Sequence, residues 1–431
     1  MSKAGAITGP RKQVLGSVFL TVFLDLVGFG MFIPVIPLVA RTFGATDAEA
    51  VSVASLYSIG TLMAVALLGR LSDKIGRRKI IVATVAISTV AQICTGLAQS
   101  YVVLLAARFL AGWASGNIAV AQACISDVTS PQERGRSMAL IGIAFGLGFS
   151  LGPALGALVS LLVPASSALM GIAVAAATLN LFNLLVVARR LPETHPKFVQ
   201  SPLAEILRDL KGPSEAAAET GKRSWWQDFQ KLLSDKAFRV VLLLGFLQVF
   251  GFIGVEAILS LMLQDAFHIT EPRWQYMAFM FIGIVLVLVN GGVSRPLLGK
   301  IGEVRTLNMG QLLLSLSMIG LPLVAPSHTM LYVLLAILAT GSALSNPSIA
   351  SLTSRLAPSS MQGFALGTAQ TLGSLARIVG PAVFGGLYQA LHGPRSLYIS
   401  AVLMLLGWLV AFFGLRKTQA TFSAENQAAS H

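Results

Sequence analysis

Long apolar runs separated by short polar breaks fill almost the whole chain. A hydrocarbon core of roughly 30 Å takes about 20 helical residues to cross. Runs of that length predict spans near 14–40, 51–72, 80–98, 101–126, 137–162, 167–188, 238–264, 274–295, 305–325, 329–352, 363–390 and 396–415. Strands of an outer-membrane barrel would alternate apolar and polar residues with period two, and runs such as Val240 to Gly254 do not. The expectation is an all-α polytopic membrane protein of twelve transmembrane helices.

The longest polar interruption, Arg189 to Asp235, is broken by Pro192, Pro196, Pro202, Gly212 and Pro213. It divides the spans six and six. This predicts an N-terminal six-helix bundle over 1–188, a cytoplasmic linker over 189–237, a C-terminal six-helix bundle over 238–415 and a cytoplasmic tail over 416–431. Within the linker, Lys222, Arg223, Trp225, Trp226, Phe229, Lys231 and Leu232 suggest either an amphipathic helix on the membrane surface or a plain connection. The halves align with each other at an offset of 226 to 228: Leu71, Lys74, Ile75 and Gly76 match Leu297, Lys300, Ile301 and Gly302, Gly135, Gly152 and Pro153 match Gly363, Gly380 and Pro381, and Gly28 matches Gly254. Two pseudo-symmetric parallel repeats suit a transporter whose halves rock about a site between them.

Composition and charge sharpen this picture. At 55% hydrophobic and 11% charged residues, with a mean hydropathy of +0.76, a soluble protein is excluded. The net charge of +13 raises nucleic acid as a partner, but the bases are one-sided. Of 31 Lys and Arg, only Arg41, Arg273 and Arg395 fall in odd-numbered loops and only Arg108 and Arg377 inside helices. By the positive-inside rule both termini are expected in the cytoplasm and the chain in the inner membrane, with lipid and not nucleic acid as its surroundings. The first apolar segment is too long for a cleavable signal and is expected to stay. Cys94 and Cys124 fall within spans, where they read as packing residues, with a disulfide left open. There is no HExxH, no Walker loop and no cluster of His and Asp, which disfavours a membrane enzyme or an ATP-driven pump. His195 and the loop histidines lack metal-ligand spacing, so neither a metal nor another cofactor is expected.

The stretch Gly69, Arg70, Leu71, Ser72, Asp73, Lys74, Ile75, Gly76, Arg77, Arg78, Lys79 after the second span carries the most specific pattern. With Leu104, Arg108 and Gly112 in the fourth span and Gly148, Gly152, Pro153 and Gly156 in the fifth, it resembles the major facilitator superfamily, and within it the drug/proton antiporters of the tetracycline-exporter type. Leu24, Asp25, Gly28, Gly30, Pro34 and Pro37 add to that resemblance; Ala157 stands where the antiporter motif has its last Gly. The resemblance implies a latch of Gly69, Asp73, Gly76, Arg77 and Arg78 in which Arg77 pairs with Asp127, while Asp73 sits against the start of the eleventh span near Gln362 and Gly363. It also implies a proton-coupled antiporter that works as a monomer on a small-molecule substrate.

Asp25, Glu256, Arg108 and Arg377 lie along spans, where ionisable residues are functional candidates by default. Burial favours a neutral carboxyl group and a nearby guanidinium favours its anion, and that competition makes a proton switch. Asp25 or Glu256 is expected to bind the coupling proton; permanent pairs, Asp25 with Arg108 and Glu256 with Arg377, are the structural alternative. The face carrying Arg108, Gly112, Ser115, Ala119, Gln122 and Ser126 is expected to line the cavity, together with Gln248, Asn290, Asn346 and Gln370. Two functions remain in play. One is an exporter of amphipathic drugs driven by entering protons. The other is an importer or facilitator of an organic anion, sugar or other metabolite, with Arg108 and Arg377 binding the negative group.

Overall fold

The computed structural model describes residues 3–129, 131–198, 225–358, 361–416 and 418, and among them no strand occurs. The helices are α1 (Lys3–Phe32), α2 (Ile36–Thr42), α3 (Asp47–Ile75), α4 (Arg77–Gly96), α5 (Tyr101–Ser115), α6 (Asn117–Asp127), α7 (Pro131–Leu162), α8 (Ala168–Arg190), α9 (Trp225–Ser234), α10 (Lys236–Asp265), α11 (Pro272–Val289), α12 (Arg295–Ile301), α13 (Glu303–Leu323), α14 (His328–Leu356), α15 (Gln362–Ala390) and α16 (Leu397–Gly414). The protein is an all-α, multi-span membrane protein. Counted over the described residues, ten helical segments are long and apolar enough to cross a bilayer. The predicted fifth and eleventh spans are also helical, as α7 and α15.

Three spans are not single rods. Pro34 follows α1, and the chain turns before resuming as α2 with Pro37 in its first turn, where a missing N–H costs nothing. The fourth span breaks at Gly116 between α5 and α6. The eighth opens into a π turn over Asn290–Ser294 just ahead of Pro296, whose ring and absent N–H disrupt regular helical bonding.

The chain separates into two compact units, Met1–Ile33 with Leu56–Arg223, and Pro34–Ser55 with Ser224–His431. In the first, Val14, Val18 and Val22 of α1 pack with Ile81 and Val85 of α4, Val120 and Ile125 of α6 and Val187 of α8. Lipid tails are as apolar as these side chains, so close helix approach rather than escape from water holds such a bundle together. Small residues supply it: a Cβ on Gly152 would stand 2.7 Å from the Val27 carbonyl oxygen, and one on Gly60 2.6 Å from that of Phe109.

In the second unit Val241 and Leu244 of α10 pack with Leu307 of α13, Leu352 of α14 and Ala411 of α16. The apolar side of α9 is not left to the membrane alone, because Leu232 is buried with Phe238, Leu242 and Met361. Lys222 and Arg223 lie outside the described residues. The expected linker also begins later than its composition suggests, since Leu191 and Thr194 are buried against the first unit.

Candidate functional site

Asp25 and Arg108 are both buried, at 6% and 3% exposure, within the first unit. They do not form the ion pair that stood as the structural alternative. Asp25 Oδ2 accepts a hydrogen bond from Asn117 Nδ2 at 2.6 Å, and Oδ1 has no protein partner. The break at Gly116 explains this, because it starts α6 with Asn117 aimed at α1. Arg108 lies instead between two aromatic faces, 4.7 Å from the Phe32 ring centre and 5.3 Å from that of Tyr57, and its Nη1 has no protein partner. The Tyr57 hydroxyl bonds Ser115, and the Phe29 ring stands 4.5 Å from the Tyr57 ring. A buried carboxylate oxygen and a buried guanidinium nitrogen, each open, are the groups here with chemistry still to do. Asn117, Tyr57 and Phe32 are the residues sequence reading missed; Asn117 falls one residue after the Gly that breaks the helix, which is the signal that marks it.

The latch residues come together, with a partner the sequence did not show. Arg77 bonds Asp73 one turn back, and its Nε donates to Asp127 Oδ2 at 3.2 Å. Glu193 then closes the arrangement. Its Oε1 accepts from the backbone N–H of Arg77 at 2.9 Å and Oε2 from that of Arg78 at 3.3 Å, placing a negative charge at the start of α4, where the helix dipole favours it. The same Oε1 accepts from the N–H groups of Thr194 and His195, each at 3.0 Å, and the Thr194 hydroxyl donates to Asp127. Arg78 donates to the Ala188 carbonyl. Gly76 adopts φ +106°, and a Cβ there would collide with the Glu193 carboxylate. Gly69 has open space around it. The side chains at 362 and 363, named for Asp73, lie outside the described residues.

Gly148, Gly152, Pro153 and Gly156 are buried, and the first three form the crossing of α7 with α1. A Cβ on Gly30 would meet Gly152 Cα and Pro153 Cδ, each at 3.1 Å, and one on Gly148 would meet Leu26 Cβ at 2.5 Å. The stretch Gly148-Phe149-Ser150-Leu151-Gly152 also has the G-x-S-x-G spacing of a hydrolase nucleophile elbow, which the motif reading passes over. That elbow needs a strand-to-helix turn, whereas here the serine is buried in mid-helix.

In the second unit Glu256 of α10 and Arg377 of α15 are near enough to act electrostatically on each other. Gln248 is buried and accepts from Gln311 Nε2 at 2.7 Å, so it bridges α10 and α13. Asn290, Asn346 and Gln370 are exposed, as is Gln122 in the first unit. On the face of α5 and α6, Gly112 and Ser115 instead pack on Tyr57 of α3.

Helices long and apolar enough to span a bilayer that keep ionisable groups in their interior mark a functional site in a membrane protein. The family model described as Major Facilitator Superfamily matches residues 18–381 and 296–430, and the chain belongs to that superfamily. It is 28% identical to bovine major facilitator superfamily domain-containing protein 10, over 92% of each chain. It is 26% identical to the class C tetracycline resistance protein of Escherichia coli, over 86% of this chain and 88% of that one. Among solved structures, the human organic anion transporter MFSD10 superimposes with a TM-score of 0.63 at 24% identity, covering 93% of this chain and 99% of that chain, a likeness of fold.

Proposed function

We propose that the chain is a proton-coupled secondary transporter of amphipathic organic anions in the cell inner membrane, working as a monomer by alternating access with both termini in the cytoplasm. The observation that carries this reading is the open Nη1 of Arg108, held between Phe32 and Tyr57. An uncompensated guanidinium buried in a membrane protein is costly, and a carboxylate or sulfonate relieves that cost with paired hydrogen bonds. The aromatic faces suit the apolar body of such a substrate. Asp25 supplies the coupling. Ionised, it repels an anion near Arg108; protonated, it does not, so proton and anion are bound together and travel together.

The experiment is a thermal-shift comparison of naphthalene sulfonate with naphthylmethylammonium on the purified protein. A ligand that prefers the folded state raises apparent stability. The anion should stabilise the wild type and lose its effect on Arg108→Gln, while the amine should do nothing.

A second reading, proton/drug antiport with a cationic or tetracycline-like cargo, is favoured by the open Oδ1 of Asp25, which a substrate cation could take in place of a proton. Stabilisation by the amine, lost in Asp25→Asn, would select it. Relatives of both kinds are named above, and the choice between the readings rests on Arg108.

A further inference from the structure

Asp25 belongs to a buried polar stripe that neither reading uses. On α1, Ser17, Thr21 and Asp25 recur every four residues and are all buried. On α4, Thr84, Ser88, Gln92 and Thr95 make a second buried stripe, and on α8 Asn180 and Asn183 make a third, both wholly inaccessible. These stripes meet. The Thr21 hydroxyl contacts Asn183 Oδ1 at 3.3 Å, Asn180 Nδ2 donates to Ser88 Oγ at 3.0 Å, and Gln92 Nε2 lies 3.3 Å from where a Cβ on Gly28 would stand. Gln13 Nε2, two turns before Thr21, bonds the Arg190 carbonyl, so α1 and α8 run antiparallel. Asn180 therefore stands one turn beyond Asn183, at the level of Asp25.

Four atoms along this seam have no protein partner: Asp25 Oδ1, Gln92 Oε1, Asn180 Oδ1 and Asn183 Nδ2. Buried polar atoms left unpaired cost about 1–3 kcal/mol each. Water relieves that cost wherever several such atoms converge. An apolar core of the same shape would be cheaper, so the amides need a purpose. From Asp25 to the exposed Gln13 the stripe runs about 18 Å, at 1.5 Å per residue, toward the end of the unit that carries the basic loops.

We infer that α1, α4 and α8 enclose a hydrated seam through which Asp25 exchanges its proton with the cytoplasmic face, the water molecules being held by Asn180 and Asn183. In release, the carboxyl O–H bond of Asp25 breaks, an O–H bond forms on the adjacent water, and each following water passes a proton on until one leaves to bulk; nothing is oxidised or reduced. The titratable neighbour of Asp25 is Tyr57, which in turn lies beside Arg108; both sit off the seam, on α3 and α5. A path inside one bundle stays open whichever way the substrate cavity faces. This inference rests on the proposal that Asp25 takes the coupling proton, and the test separates the two.

The test is infrared difference spectroscopy of the full-length protein in lipid after a rapid pH jump, following the Asp25 carboxyl band assigned by its loss in Asp25→Asn. Asn183→Leu and Asn180→Leu should slow the response of that band by at least about tenfold, equivalent to about 1.4 kcal/mol of barrier. Asn183→Ser, small and polar, should keep the wild-type rate. Thr21→Val, nearly isosteric, covers the case in which the leucine variants fail to fold, and should also slow the band. Equal rates in wild type and seam variants would overturn the seam and leave Asp25 as the proton site. A wild-type band that never responds to pH would instead overturn the role of Asp25 itself.

Discussion

Glu303 and Arg355 form an ion pair, with Arg355 Nη1 2.8 Å from Glu303 Oε1, at the positions that the internal repeat assigns to Arg77 and Asp127. The same clasp is thus built in both units with its charges exchanged, across a turn that in each case runs through a glycine of positive φ, Gly76 or Gly302. The Ser351 hydroxyl also donates to Glu303.

The two clasps differ in burial, and this sets their strengths. Arg77 is buried, whereas the Arg355 side chain is 32% exposed. Arg77→Ala should cost about 3 kcal/mol, because it leaves Asp127 without its ionic partner. Arg355→Ala should cost about 1 kcal/mol or less. In each unit the exchanged double variant, Arg77→Asp with Asp127→Arg or Glu303→Arg with Arg355→Glu, should recover at least half the loss of its single variants in a double-mutant cycle of melting temperatures.

Gly76 and Gly302 make a second comparison. Both have positive φ, but only Gly76 faces a neighbour, the Glu193 carboxylate, while nothing lies within 4 Å of a Cβ on Gly302. Gly302→Ala should cost about 1–2 kcal/mol from backbone strain alone. Gly76→Ala should cost more and should also release Glu193 from the start of α4, which protection of the Arg77 and Arg78 amides against hydrogen exchange would report.

Much of this arrangement is legible in the sequence, and the limits have physical causes. The spans follow from hydropathy, and the pairing of Arg77 with Asp127 is what the resemblance of the motif implies. Glu193 is not legible, because it sits in a Pro-rich stretch whose composition reads as linker and only the fold returns it to α4. Nor is the replacement of Arg108 by Asn117 as the partner of Asp25, since the charge of Arg108 makes it the obvious choice and a helix break decides otherwise. Gln248 reads as a cavity residue, yet it bonds Gln311, which lies 63 positions away.

The crossing of α1 and α7 predicts a graded response. Gly152→Val should prevent folding or lower the melting temperature by several degrees, because the Val27 and Gly30 backbones are in the way. Gly142→Ala in the same helix, with nothing within 4 Å, should be silent.

Arg41 holds a clasp within the second unit. Its Nη1 and Nη2 donate to the two oxygens of Asp265 at 2.8 and 2.7 Å, its Nε donates to Asp47 at 2.9 Å, and the Tyr388 hydroxyl donates to Asp265 at 2.8 Å. The Asp265 carboxylate, opposed by desolvation and aided by Asp47, holds the Arg41 guanidinium charged beyond its ordinary range. A folded-state pKa raised above the unfolded one contributes stability that is full below the unfolded value, which for Arg lies far above neutral pH, and lost only above it. The melting-temperature difference between wild type and Arg41→Gln should therefore stay constant from about pH 7 to about pH 10.

The central claim, that Arg108 binds an anion whose movement is tied to a proton on Asp25, is tested most directly by flux of radiolabelled naphthalene sulfonate into proteoliposomes under an imposed pH gradient. The account predicts that the anion accumulates in the direction in which protons run down their gradient, that Asp25→Asn exchanges the anion without responding to the gradient, and that Arg108→Gln does neither. Anion movement against the proton flow, or unchanged flux in Arg108→Gln, would contradict it.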